Sequence, residues 1–245
     1  TVPLPSKGIV YSPDTTLYNR ETIPIRAMTA HEEDILSSQA LIKEGTVIND
    51  LIRSCVTDKT FSVDDLILGD RNALMIATRI TGYGPDYDVV TYCQNCSAKN
   101  EVTVNLSELK IKRLSIKPSS DGKNEFEFIL PVTKKRVTFK FMTSRDEREK
   151  NKTLENEQLV LKNKIEKNVT SYLKHSITSI EGVRDKNKLN HFIKNMPALD
   201  SKKLREFITE NEPGMDMSSS HVCTKCGHHN EFKLPMNSEF FWPSK

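Results

Sequence analysis

Four of the five cysteines stand in two pairs of identical spacing, Cys93-x-x-Cys96 and Cys223-x-x-Cys226. Such a turn presents two sulfurs from one tight loop, and zinc takes four thiolate or imidazole ligands in a tetrahedron, so two turns complete one site. The spacing therefore predicts one structural zinc ion held by Cys93, Cys96, Cys223 and Cys226. Val90-Thr91-Tyr92 leads into the first pair and His221-Val222 into the second, the hairpin setting of a zinc ribbon, and Gly227 suits the backbone turn after the last thiolate. Residues 97–222 lie between the pairs and must be carried by the ribbon as an insertion. A ring closed over that length restricts the unfolded chain, and structural zinc is worth on the order of 10 kcal/mol in small peptides. Three other readings of the pairs are two disulfides, a redox dithiol, or unrelated buried cysteines. A redox pair belongs at the start of a helix, which neither pair occupies. His228 or His229 could replace one sulfur, although four cysteines already fill the tetrahedron. Filling it leaves no open position for water or substrate, so the site is not expected to catalyse.

No other constellation points to an enzyme. His31-Glu32-Glu33-Asp34 lacks the second histidine of a zinc-protease helix, since position 35 is Ile. Gly82-x-Gly84 runs into Pro85 and not into a helix that could cradle phosphate. There is no Gly-x-Ser-x-Gly and no Walker loop. The 36 Lys and Arg nearly balance the 33 Asp and Glu, for a net charge of +3. Around the cysteine pairs Lys99, Lys225 and Lys233 are interspersed with Asp88, Glu101 and Glu231, so no basic face for nucleic acid is expected. No apolar run approaches the roughly 20 residues of a bilayer span. The first residues lack a signal-peptide pattern, from which cytosolic synthesis and reduced thiols are expected.

The elements that must position the cysteines read as α+β. Residues 1–28 are proline-rich and suggest an extended arm. Residues 29–87 form a helical unit: Thr29-x-x-Glu32 has the form of a capping box and opens a helix running towards Gly45. A second helix carries Val47, Ile48, Leu51, Ile52 and Cys55 on one face, which makes Cys55 a packing residue. A third stretch after Ser62 is interrupted at Gly69, restarts at Asp70 and ends at Gly82-Tyr83-Gly84-Pro85. Residues 88–106 and 219–245 supply the ribbon and a C-terminal tail, with Val90 and Tyr92 alternating before the first pair. The inserted region 107–218 holds an aromatic hairpin (Phe126, Phe128, Leu130; Val137, Phe139, Phe141). A charged helix capped by Ser144-x-x-Glu147 follows, with Leu154, Leu161, Ile165, Val169 and Tyr172 on its stripe. Shorter helices span Leu189–Met196 and the residues after Asp200, before breaks at Pro213-Gly214 and Ser218-Ser219-Ser220.

Several of these segments resemble a known family. Ile25-Arg26-Ala27-Met28-Thr29-Ala30, Glu32-Glu33-Asp34-Ile35-Leu36, Leu41-Ile42-Lys43-x-Gly45-Thr46-Val47-Ile48, Gly69-Asp70-Arg71-Asn72-Ala73-Leu74-Met75, Arg79-Ile80-Thr81-Gly82-Tyr83-Gly84, both cysteine pairs and Phe240-Phe241-Trp242-Pro243 are similar to the baseplate hub and hub-assembly proteins of T-even-type contractile-tailed phages. The resemblance is weaker over residues 107–218. It implies a non-enzymatic protein that assembles, or forms part of, the central hub, with other hub and tail proteins as partners and a second copy as a further one. It would act in the host cytoplasm during assembly, whether or not it stays in the virion. The alternative from the ribbon alone is a module that binds nucleic acid or a transcription complex. Phe240, Phe241 and Trp242 make an aromatic cluster of the kind that fills a partner's pocket or staples the chain's own end. Arg26, Asp70 and Arg71 suit either a recognition patch or an internal ion-paired cap.

Overall fold

The computed structural model of the protein describes residues 1–161, 168–236 and 238–241. Its first strands, β1 (Val2–Pro3) and β2 (Thr22–Ile23), pair antiparallel and close a loop on themselves. The prolines fix φ, but the residues between them are apolar enough to be drawn inward, and Leu4, Val10, Leu17 and Ile23 are buried. The segment read as an extended arm is thus folded into the core. It is pinned by Asp70, whose carboxylate accepts from Ser6 N at 2.9 Å, Ser6 Oγ at 2.5 Å and Tyr11 OH at 2.6 Å. Gly8 makes the loop possible: its φ is +75°, and a Cβ there would lie 2.3 Å from Arg20 N.

Four helices follow: α1 (Ala30–Ser37), α2 (Gln39–Glu44), α3 (Val47–Cys55) and α4 (Leu68–Tyr83). The helix expected from Thr29 to Gly45 is split at Ser38, whose backbone is extended and whose Oγ receives Leu41 N at 3.5 Å. Glu32 is the hub of α1. Fully buried, it accepts from Thr29 N at 2.8 Å, Thr29 Oγ1 at 2.7 Å and Ser54 Oγ at 2.5 Å. In α3, Leu51, Ile52 and Cys55 are fully buried, and burial pushes the Cys55 thiol up to about 11. The expected interruption falls two residues early: a 3-10 turn at Val63–Asp65 is followed by extended Leu66 and Ile67, and α4 restarts at Leu68, which places Gly69 inside its first turn. A Cβ at Gly69 would come within 1.7 Å of the Pro213 carbonyl oxygen, so this glycine serves close packing and not a helix break.

The chain then enters β3 (Asp86–Tyr92) and β4 (Lys99–Asn105), an antiparallel hairpin. The period is strand-like as expected. Tyr87 and Val89 point inward while Val90 is 50% and Tyr92 68% exposed, because Tyr87 meets Phe240 edge to face at 5.2 Å and fixes the phase. After β5 (Ile111–Lys112), β6 (Phe126–Ile129) and β7 (Arg136–Phe139) form the aromatic hairpin. Phe126 stacks on Phe139 with ring centroids 5.6 Å apart and lies tilted against Phe141 at 4.7 Å.

The charged helix is α5 (Ser144–Leu161), and its capping box begins one residue earlier than expected: Thr143 N and Oγ1 donate to Asp146, and Asp146 N donates to Thr143 Oγ1. Glu147 is released to pair with Arg71. Ile165 lies outside the described residues. After α6 (Asn168–Ser176), β8 (Ile177–Ile180) adds a third strand beside β7. The helices α7 (Lys186–Lys194) and α8 (Ala198–Asn211) bury Leu189, Ile193, Leu204 and Ile208.

The two expected breaks near the C-terminus are strands. β9 (Gly214–Met215) pairs with β5, and the serines open β10 (Ser218–Val222), which pairs along β11 (His229–Lys233) with Ser220 opposite Glu231. Cross-strand pairing overrides the poor strand propensity of glycine and serine. A 3-10 turn at Ser238–Phe241 ends the described chain.

One half-buried acid makes stability depend on pH. Burial pushes the Glu212 carboxyl up to about 7 against the pull of Lys112, and Glu212 caps the C-terminal, negative end of α8. An unfolded glutamate titrates near about 4.3, so the folded state prefers the protonated form. That preference is fully present below the unfolded value and is lost as pH rises through about 7. Glu212→Gln is expected to match the wild type near pH ~4 and to be about 3–4 kcal/mol more stable at about pH 8, measured by urea unfolding.

Candidate metal centre

The two cysteine pairs sit at the tips of matching hairpins, β3–β4 and β10–β11. Each tip closes in the same way. Cys93 N donates to Ala98 O at 2.9 Å and Ser97 N to Cys93 O at 2.9 Å; Cys223 N donates to His228 O at 2.8 Å and Gly227 N to Cys223 O at 2.9 Å. The residue after each second cysteine is left-handed, Ser97 at φ 54° and Gly227 at φ 72°. Glycine takes that conformation freely and announces the turn in sequence; Ser97 adopts it at a cost of about 1–2 kcal/mol and leaves no such signal.

The tips face each other. All four Sγ atoms lie within 4.8 Å of one another, with Cys93 to Cys226 at 3.6 Å and Cys96 to Cys223 at 3.7 Å. A disulfide would need about 2.05 Å, and none of the four is bonded to another. Two sulfurs on one zinc, with bonds of about 2.3 Å in a tetrahedron, stand about 3.8 Å apart. The cluster therefore fits a single tetrahedral ion. Cys93 and Cys223 are buried, Cys96 is half-buried and Cys226 is exposed. Backbone N–H groups favour thiolate: those of Cys96 and Asn95 hold Cys93 down at about 6, and that of Cys226 lowers Cys223. At Cys96 the N–H of Ala98 also pulls downward, but the neighbouring sulfurs outweigh it and push the group up to about 12. Crowded thiols resist sharing more negative charge, which a bound cation would relieve. Among the described residues the donors of the cluster are the four cysteines alone; His228 and His229 are exposed and outside it.

Sequence reasoning missed two residues that belong to this centre, Asn100 and Asn230, both buried. The signal was present: each stands four positions after the second cysteine of its pair. Asn100 reaches the far tip, donating from Nδ2 to Cys223 Sγ at 3.7 Å and accepting Thr224 N at 3.1 Å. Asn230 does the converse, donating to Cys93 Sγ at 3.6 Å and accepting Gln94 N at 2.8 Å.

Of the residues singled out as partner contacts, Arg71, Phe240 and Phe241 line one cavity, and Arg26 and Asp70 are not part of its lining. Asp70 is buried against the N-terminal loop. Arg26 forms a two-pronged pair with Glu32 at 3.0 and 2.6 Å, and this contact holds the Glu32 carboxyl well below the usual range. Arg71, 13% exposed, pairs with Glu147. Phe240 and Phe241 are buried edge to face at 5.3 Å, and the Phe240 carbonyl accepts from Arg79 Nε at 2.9 Å. Trp242 lies outside the described residues.

Among the described residues no helix is long and apolar enough to cross a membrane. No curated protein and no solved structure matches the chain. A family model does, over residues 9–242, which takes in both cysteine pairs and nearly every described element. The chain belongs to the T4 bacteriophage base plate protein family.

Proposed function

We propose that this baseplate protein assembles, or forms part of, the central hub, that it is not an enzyme, and that one structural zinc holds its shape. The observation that carries the reading is the cluster of four sulfurs joining two hairpins far apart in sequence. When bound, zinc would supply a rigid cross-link and no reactive position, since cysteines would occupy all four corners. Cys93 and Cys96 present two of them from β3–β4, and Cys223 and Cys226 present two from β10–β11. The ribbon would thereby fix the helical unit, residues 29–87, and the inserted region, residues 107–218, in one orientation as a composite docking surface for other hub and tail proteins. Assembly would take place in the host cytoplasm.

The test is co-expression of the tagged chain with the remaining baseplate proteins of its phage, followed by affinity isolation and electron microscopy of the recovered complexes. Recovery in hub-containing complexes is the expected result. Failure to enter any such complex, together with a salt-sensitive gel shift on single- or double-stranded DNA, would overturn the hub assignment in favour of a nucleic-acid module.

A further inference from the structure

We propose that Asn100 and Asn230 are reciprocal positioning residues for the metal centre, each holding a thiolate of the opposite hairpin. The inference rests on the reading of the four cysteines as a metal site.

The two asparagines use their amides in the same way. Asn100 Nδ2 donates to Ala98 O at 2.9 Å within its own tip and to Cys223 Sγ at 3.7 Å across the interface. Its Oδ1 accepts Thr224 N at 3.1 Å and Thr224 Oγ1 at 3.2 Å. Asn230 Nδ2 donates to His228 O at 2.9 Å and to Cys93 Sγ at 3.6 Å, and its Oδ1 accepts Gln94 N at 2.8 Å. Each amide thus meets an acceptor on both N–H bonds and a donor on its oxygen, so the reverse orientation would set N–H against N–H. The exposures are 4% and 2%, so water does not compete for these contacts.

The chemistry explains why asparagine suits both positions. Four thiolates around a divalent cation carry a net charge of −2, and N–H donors aimed at sulfur spread that charge. Aspartate would keep the acceptor for the facing backbone N–H but turn a lone pair towards the thiolate. Leucine would fill similar space and satisfy neither side. Because each amide serves the first cysteine of the other tip, organising one hairpin prepares the sulfur of its partner. The two halves of the site are then coupled through side chains as well as through the ion.

Cobalt(II) replaces zinc as the probe, since sulfur-to-cobalt charge-transfer bands report thiolate donation directly. Wild type, Asn100→Asp and Asn230→Asp are titrated with cobalt, and zinc affinity is read by competition with a chromophoric chelator. Each Asp variant is expected to bind about 10- to 100-fold more weakly and to shift the charge-transfer band. Alkylation followed by mass spectrometry then tests reciprocity: relative to the wild type, Cys223 is expected to show the largest rise in rate in Asn100→Asp, and Cys93 in Asn230→Asp. Asn100→Ala and Asn230→Ala, which add no charge, should give the same crossed pattern and serve if an Asp variant misfolds by circular dichroism. Unchanged affinity and bands, or faster alkylation within the variant's own tip, would overturn the proposal. A wild type that takes up no cobalt would overturn the metal reading and this inference together.

Discussion

A Cys223→Ser, Cys226→Ser chain is expected to hold no zinc, where the wild type purified without added metal holds one per chain. Two oxygens cannot replace two thiolates at a zinc site selected for sulfur, and the remaining pair, Cys93 and Cys96, supplies only half a tetrahedron. The consequence should be large but local. Structural zinc is worth on the order of 10 kcal/mol in isolated fingers, which have almost no other core. Here the hairpins also rest on Tyr87, Val89 and Leu234, all buried, so part of their stability is independent of the ion. Hydrogen exchange should rise across β3, β4, β10 and β11, while amides of β6, β7 and β8 stay protected around Phe126, Phe139 and Phe141. Metal analysis and exchange mass spectrometry on the double variant and on chelator-treated wild type should agree. A zinc-free wild type with four titratable thiols would remove the structural role assigned to the ion.

Phe240→Ala is expected to lower stability by about 3–5 kcal/mol in urea unfolding, the range for emptying a buried aromatic site. The ring is 1% exposed and touches Tyr87 and Phe241 edge to face. Its backbone carbonyl is one of three held by Arg79, with Gly84 O at 2.6 Å and Asp86 O at 3.0 Å from the same guanidinium. Loss of the ring would leave that buried cation with fewer fixed acceptors as the turn loosens, which places the effect towards the upper end of the range. A change below about 1 kcal/mol would mean that the C-terminal turn contributes little to the fold.

What could be read from sequence follows from how local each signal is. The cysteine spacing named all four sulfurs of the cluster, because a Cys-x-x-Cys turn is decided within a few residues. Thr29 and Glu32 marked the start of α1 for the same reason. Gly69 misled because glycine was read as a helix breaker, whereas its role depends on Pro213, distant in sequence. Ser218–Ser220 looked like a linker because their pairing partner, Glu231–Lys233, lies beyond the turn. The phase of β3 was set by Phe240, and no window around residues 86–92 contains that information. Asn100 and Asn230 escaped because a buried amide has no periodicity of its own; only the repeated offset from each cysteine pair marks them.

The placement of the two cysteine pairs also sets an order of events during synthesis. β3 and β4 emerge from the ribosome with half of the cysteine cluster, and residues 106–217 must follow before β10 can answer them. Phe240, which seals Tyr87 on the same hairpin, arrives later still. A chain released early would therefore expose both an open thiol pair and an uncovered aromatic, surfaces that chaperones and proteases engage. The two closures act as a check on completeness: only a polypeptide translated through its last described turn can shut the ribbon and cover its base.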